Sequence, residues 1–323
     1  MGPKEIWQAI QTGSRNTLII GATVGVIGVI VGTISLTGIG LKFSDIIISA
    51  ADGNLLLAIL LIALASLVLG MGVPVTAAYL IVAVLAVPPL MEMGVVLIAA
   101  HMIVYWFSQD SNITPPVCVA AYAGAAIAGS DPWKTGWTAF KFAKLLYVVP
   151  LLFAYTPQIL FEGKPLLAPE INDPVMGAMI LEIQAKRGDT VEIGDPILKV
   201  MDGEEIREIT ASRDGIIKEF TVAGGGYLDT GAVVAEMSAK PSNIASSMFS
   251  ALLGTLAFSA LTMGYFIRKT NVFEWVVLAF ATVLLYWPTL VTDGIGLLLV
   301  AIVYFSQKAR NKRDEGSGLV AAT

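Results

Sequence analysis

Apolar runs of near-spanning length alternate with short polar intervals along most of this chain. About 20 apolar residues cover a hydrocarbon core roughly 30 Å thick as a helix, so the pattern predicts several membrane helices. The first run, Thr17 to about Leu36, carries Gly21, Gly25, Gly28 and Gly32 at helical near-neighbour spacing. Such a small-residue face lets a second helix approach closely.

Two later runs are interrupted. Leu55 to Leu69 stops at Leu69-Gly70-Met71-Gly72-Val73-Pro74-Val75-Thr76 and resumes to Val87, ahead of Pro88-Pro89. Gly94 to Phe107 stops at Ser108-Gln109-Asp110-Ser111-Asn112-Ile113-Thr114-Pro115-Pro116, and Val117 to Ala128 follows. No piece spans comfortably alone, so half-length helices meeting at a polar tip predict a re-entrant hairpin at least as well as two spans. Lipid offers backbone groups no partner, and an unwound segment survives there only when buried in protein or lining a cavity. Function is therefore expected at these two breaks.

Beyond them, Ser130-Asp131-Pro132-Trp133-Lys134-Thr135 is a helix start. Trp137, Phe140, Lys141 and Lys144 predict an interfacial helix, and Leu145 to Leu160 is expected to cross with a kink at Pro150. Near Gly163 the pattern changes to short polar–apolar alternation with turn signals such as Gly188-Asp189, Asp202-Gly203 and Gly224-Gly225-Gly226, which predicts a small all-β domain. Three more apolar runs follow Pro241-Ser242-Asn243, and the basic stretch Lys308 to Arg313 leads into a flexible tail. The expected organisation is a membrane domain over 1–163, the β domain over 164–240, C-terminal membrane helices over 241–307 and the tail over 308–323. By the positive-inside rule the tail is cytoplasmic, which sets the β domain on the opposite face if Met248 to Ile267 crosses once.

Composition agrees with a polytopic membrane protein: 56% of 323 residues are hydrophobic and 14% charged. Mean hydropathy is +0.76. A net charge of -5 with no basic stripe excludes nucleic acid as a partner. Cys118 is the sole cysteine and His101 the sole histidine, which leaves little for cysteine or histidine metal chemistry, and no catalytic set stands out. An enzyme is not expected. The first 16 residues lack the long apolar core of a secretory signal.

The candidate chemistry is ion and anion binding. Ser111, Asn112 and Thr114 offer oxygens, and Pro115 and Pro116, lacking N–H groups, free upstream carbonyls for a small hard cation. Oxygen-only ligation suits sodium or a proton carrier. Gly70 and Gly72 reach backbone angles that turn carbonyls outward. Half-helix N-termini beside the tips carry partial positive charge suited to a carboxylate, with Pro74, Asn112 and Asp110 as candidate substrate neighbours. Asp110 is the only acidic residue between Glu92 and Asp131, and it sits either against a ligand or at a solvated tip. His101 is expected to pack or to satisfy a neighbour rather than relay protons.

Residues 15–163 resemble the second half of the large membrane subunit of TRAP transporters, the fused-permease type. The likeness rests on Gly32 to Leu41, on Leu69 to Tyr79, on Ala99-Ala100-His101, on Ile113 to Val117 and on Tyr155-Thr156-Pro157, in that order. It implies sodium-driven uptake of organic acids delivered by an extracytoplasmic solute-binding protein, across the inner membrane. It also implies an elevator-type fold of two inverted repeats, each with a re-entrant hairpin. Carried over by position, the ion-facing residues are Gly70, Gly72, Thr76, Ser111, Thr114 and Pro115. Only one repeat is present, so another polypeptide or a second copy is expected to supply the other.

Residues 174–237 resemble a biotinyl/lipoyl barrel-sandwich hybrid through Pro174-Val175-Met176-Gly177, Gly188-Asp189-Thr190-Val191, Gly194 to Leu198, Ala211 to Gly215 and Gly231. Glu204 stands where that domain carries its modified lysine, so no covalent cofactor is expected. The expected whole is an all-α polytopic membrane protein with an inserted small all-β domain. Its function is either a membrane component of a sodium-coupled transporter or a non-transporting adaptor that docks or senses through the β domain. Beside the other repeat and the solute-binding protein, membrane lipid is the expected partner.

Overall fold

The computed structural model describes residues 2–71, 73–172, 177–287 and 289–316. Gly72, the motif residues Pro174 to Met176 and the last part of the tail lie outside the described residues. The chain forms two units, Met1–Leu151 and Leu152–Thr323.

The first unit begins with α1 (Pro3–Thr37), longer at its start than the apolar run because Pro3 occupies the first turn and Glu5 closes back on the Gly2 amide. Gly38, at φ +67, ends it and opens α2 (Ile39–Ala51), a helix the hydropathy pattern did not announce. The two axes bend by 72° at this residue. Among the described residues the α1 glycine stripe is left open: a Cβ at Gly21, Gly25, Gly28 or Gly32 meets nothing within 4 Å.

Asn54 caps α3 (Leu55–Leu69) by accepting from the Leu57 amide. After the first break comes α4 (Val75–Glu92), which runs on through Pro88 and Pro89 instead of stopping before them. Two prolines remove the amides that would bond Val84 and Leu85. A Cβ at Gly40 on α2 would lie 3.7 Å from the Val84 oxygen, so a neighbouring backbone covers one freed carbonyl. Neighbouring helices make such gaps tolerable at membrane depth. With its 18 residues, α4 is long enough to cross. Next is α5 (Leu97–Asp110), packed on α3 and α4 around Ile59, Ile62, Ala78, Leu90, Ala100 and Ile103, all fully buried.

After the second break, α6 (Val119–Ala128) leads to α7 (Pro132–Phe142), which starts as the sequence predicts: Asp131 accepts from the Lys134 amide and Pro132 fills the first position. The structure departs from a separate interfacial helix, because α7 and α8 (Lys144–Tyr155) together form one 24-residue candidate span, Pro132–Tyr155. Trp133, Trp137, Phe140 and Tyr147 contact one another edge-on along it. Among the described residues four helices are long and apolar enough to cross a membrane, or five if the bent pair of α1 and α2 counts as one.

In the second unit a 3-10 turn (Pro157–Leu160) precedes eight short strands: β1 (Leu166–Leu167), β2 (Ala178–Ile183), β3 (Thr190–Val191), β4 (Pro196–Asp202), β5 (Glu205–Thr210), β6 (Gly215–Phe220), β7 (Tyr227–Leu228) and β8 (Val233–Ser238). They pair antiparallel as two four-stranded sheets, β1-β8-β6-β3 and β5-β4-β2-β7. Ile180, Ile197, Leu198, Ile217, Leu228 and Met237 fill the space between them, with Ile197 and Leu198 both inward where an irregularity in the β4–β5 register interrupts the alternation. This is the expected barrel-sandwich.

Three helices close the chain: α9 (Pro241–Met263), α10 (Val272–Leu285) and α11 (Leu290–Gly316). Glycines set their spacing, since a Cβ at Gly254 would fall 2.7 Å from the Tyr286 ring and one at Gly296 would fall 2.6 Å from Leu285 Cγ. Their shared polar residue is Glu274, whose side chain is 1% exposed. It caps α10 with Asn271, accepts from Ser306 Oγ and Gln307 Nε2, and takes a fork from Arg310 Nη2 at 2.6 Å to each oxygen. Gln307 Oε1 in turn accepts from the Ile267 and Arg268 amides. Breaking such a buried pair from one side leaves an unmatched charge. Glu274→Ala is expected to destabilise the bundle by about 3–5 kcal/mol, and Glu274→Gln by less, in thermal melts of the purified protein in detergent.

Candidate ion and substrate site

The two breaks meet. Gly70 closes α3, its amide donating to Ser66 O at 2.8 Å, and a Cβ built on it would lie 2.7 Å from Ser111 Oγ and 2.9 Å from Ser66 O. Glycine is required here by contact, since Ser111 begins the second break and presses directly on the first. Two of the predicted residues, Gly70 and Ser111, are thus brought together.

Around them lie buried polar groups in an otherwise apolar helix pack. Ser66, Ser108, Asp110 and Ser111 are all at most 3% exposed. The three serines turn back on their own helices, Ser66 Oγ to Ile62 O, Ser108 Oγ to Val104 O and Ser111 Oγ to Ser108 O. Asp110 does not: both carboxylate oxygens are buried and have no hydrogen-bond partner among the described residues. Gln109 Nε2 and Asn112 Nδ2 are likewise buried and unbonded. A solvated tip is excluded for Asp110, which is 0% exposed.

The carbonyls upstream of the prolines are less free than the sequence implied. Asp110 O accepts from the Ile113 and Thr114 amides and from Thr114 Oγ1, Asn112 O from the Ala120 amide, and Thr114 O from the Cys118 amide. A tight turn has consumed them, because a chain reversing in apolar surroundings must satisfy its own backbone. Thr114 is committed further, its hydroxyl bonding Tyr147 OH on α8. Tyr147 was missed by sequence reasoning; 33 residues separate the pair, and an aromatic at the centre of a spanning run carries no signal of its own.

The other predicted residues divide. Pro115 is joined to Pro116 by a cis peptide bond, and the turn packs against α7, where a Cβ at Gly136 would lie 2.7 Å from Cys118 Sγ and 3.8 Å from Pro115 Cγ. Pro74 is the N-cap of α4 and Cys118 that of α6, and neither helix start has a side-chain cap. Thr76 is exposed on the first turn of α4. His101 bonds Tyr79 OH through Nδ1 at 2.9 Å, which ties α5 to α4.

In the β domain Asp202 pairs with Glu205, so Gly203 and Glu204 form a two-residue turn between β4 and β5. Gly203, at φ +68, takes the first central position that such hairpins favour. Glu204 is exposed at this tip.

Broken helices with touching polar tips, followed by a barrel-sandwich and a helical bundle, define a polytopic membrane protein with an inserted β domain. Family comparison specifies it: residues 1–159 match the Tripartite ATP-independent periplasmic transporter, DctM component; residues 165–237 match the family described as Biotin-requiring enzyme; and residues 245–296 match a Domain of unknown function (DUF3394). The chain therefore carries a DctM-type segment of the TRAP transporters, a biotin/lipoyl-type domain and a C-terminal helical segment, in that order. This points away from an enzyme. No curated protein matches the chain. Among solved structures a single-chain, multi-domain long-chain acyl-CoA carboxylase is similar at 14% identity and a TM-score of 0.20, over 44% of this chain and 14% of that one. The likeness is too small to carry an argument.

The tip contact makes a direct prediction. Gly70→Ala sets a methyl group against a side chain and an immovable carbonyl, and is expected to destabilise the protein by about 1–3 kcal/mol. Adding Ser111→Gly should recover part of that loss. A double-mutant cycle of melting temperatures checks the coupling, and additive effects would show the tips to be apart.

Proposed function

We propose that this chain is the membrane component of a sodium-coupled secondary transporter for an organic acid, with its residues 1–163 acting as one repeat. The observation that carries the reading is Asp110: a carboxylate fully buried at the junction of two broken helices, with no hydrogen-bond partner for either oxygen among the described residues. An isolated charge in such surroundings costs several kcal/mol, on the order of the penalties for any intramembrane ion, so the site calls for a cation. Sodium with its oxygen-only ligation fits a carboxylate in this position. Asp110 thereby moves from the substrate to the ion, because a carboxylate repels an organic acid. The uncapped starts of α4 and α6 remain as donors for the substrate's own carboxylate.

A partner supplying the second repeat is supported by α1. Its glycine stripe faces open space, and apolar side chains such as Leu18, Val26 and Val29 are more than half exposed. A second polypeptide or a second copy covers this face, an extracytoplasmic solute-binding protein delivers the substrate, and the complex sits in the inner membrane. The β domain acts as a docking or spacer module. A carboxylate at the Glu204 tip cannot form the amide that attaches biotin or lipoate, so no covalent cofactor is carried.

The chain and a partner bearing the missing repeat, reconstituted in liposomes, should take up organic acids along a sodium gradient. Asp110→Asn is expected to lower sodium-dependent uptake at least about tenfold while the protein still reaches the membrane. Uptake driven equally by a proton gradient without sodium, or untouched by Asp110→Asn, would reject the ion assignment.

A further inference from the structure

A cavity of about 350 Å³ lies within the second unit, where three kinds of structure converge: the end of α8 and its 3-10 turn, the loop between β5 and β6, and the start of α9 with the end of α10. Two cations line it. Lys164 stands just ahead of β1, and Arg213 belongs to the Ala211-Ser212-Arg213-Asp214-Gly215 loop of the sandwich. Neither makes an ion pair among the described residues, and Arg213 Nε is buried without a hydrogen-bond partner. Burial holds both groups below their ordinary pKa, and for Lys164 the neighbouring Arg213 charge adds to the effect. Two like charges kept side by side and partly desolvated are unfavourable unless something negative comes between them. Asp214 lines the same cavity but is ion-paired to neither.

The location says where that anion sits. Candidate span Pro132–Tyr155 ends at the cavity wall, Pro241–Met263 begins two residues before the lining residue Asn243, and Val291–Asn311 begins four residues after Trp287. Tyr155 and Trp287 both line the cavity and stack, with ring centroids 6.2 Å apart. Aromatic residues at the ends of spans mark the headgroup level of a bilayer. Ser212 and Asn243 add neutral hydrogen-bonding groups to the wall.

We propose that this cavity binds a phosphate-type anion, held between Lys164 and Arg213 at the membrane surface. Arginine's planar fork suits phosphate oxygens, with the lysine ammonium as a second point of charge. The phosphate belongs either to the headgroup of an anionic phospholipid or to a free ion, and the geometry at the ends of three spans favours the lipid.

Native mass spectrometry of the full chain in detergent, titrated with phosphatidylglycerol or phosphatidylcholine, reads the lipid arm. Calorimetric titration with inorganic phosphate reads the free-ion arm. In the wild-type protein phosphatidylglycerol is expected to bind more tightly than phosphatidylcholine. Lys164→Gln with Arg213→Gln is expected to weaken phosphatidylglycerol about tenfold to thirtyfold, the combined effect of two cations at an anionic surface. The same loss confined to inorganic phosphate would assign the site to the free ion. Asp214→Asn removes the one negative group on the wall and is expected to tighten binding, a change that damage to the fold does not imitate. The proposal is overturned if the double variant binds both probes as the wild type does, if Asp214→Asn weakens them, or if Lys218→Gln, which alters a cation outside the cavity, weakens them as much as the double variant.

Discussion

Everything in the membrane part hangs on the contact of Gly70 with Ser111. Each break exposes backbone and shortens a helix, and neither would be tolerable facing lipid. Set against each other, the two breaks shield one another, and the price is that one of them must lack a side chain. Gly70 meets this condition with its Cβ position filled by Ser111 Oγ and Ser66 O. The packing of α3, α4 and α5 around Ile59, Ile62 and Ile103 then fixes where the tips lie. Buried serines that bond their own helices let polar sequence enter this core without stray donors.

Against that economy Asp110 stands out. The surrounding turn satisfies backbone carbonyls, hydroxyls and even Thr114 with Tyr147, yet leaves the carboxylate unmatched. Structural residues in a core are normally paired, and the proposed ion site rests on this exception. The same logic separates Glu274 in the C-terminal bundle. It is as deeply buried, but four donors from the chain itself reach it in five hydrogen bonds, which makes it a fastening. Lys164 and Arg213 fall on the side of Asp110: charges brought together and left without a counterpart.

The β domain keeps a barrel-sandwich scaffold, and in the proposed reading its hairpin tip carries no cofactor. Two sheets, a shared apolar core and a tight β4–β5 turn are all present, with Glu204 at the turn. A hairpin tip tolerates such an exchange because it is exposed and contributes nothing to the core. The interior alternation that holds the sandwich together is untouched.

How much of this could be read from the chain depends on the range of the interaction. Near-spanning apolar runs, the breaks at Gly70 and Ser111, the Asp131-Pro132 helix start and the strand alternation after Gly163 are local patterns, and sequence alone determined them. It erred where a neighbour rescues a locally unfavourable choice: α4 continues through Pro88 and Pro89 beside Gly40, and α7 with α8 makes one candidate span. Which oxygens remain free at the second break was decided only in three dimensions. Carbonyls that the prolines seemed to release are taken by amides of the same turn, Thr114 is claimed by Tyr147, and the charge left over is that of Asp110. Local sequence sets which groups a turn contains, but pairing among them is a matter of distances between elements, and those exist only once the helices have packed.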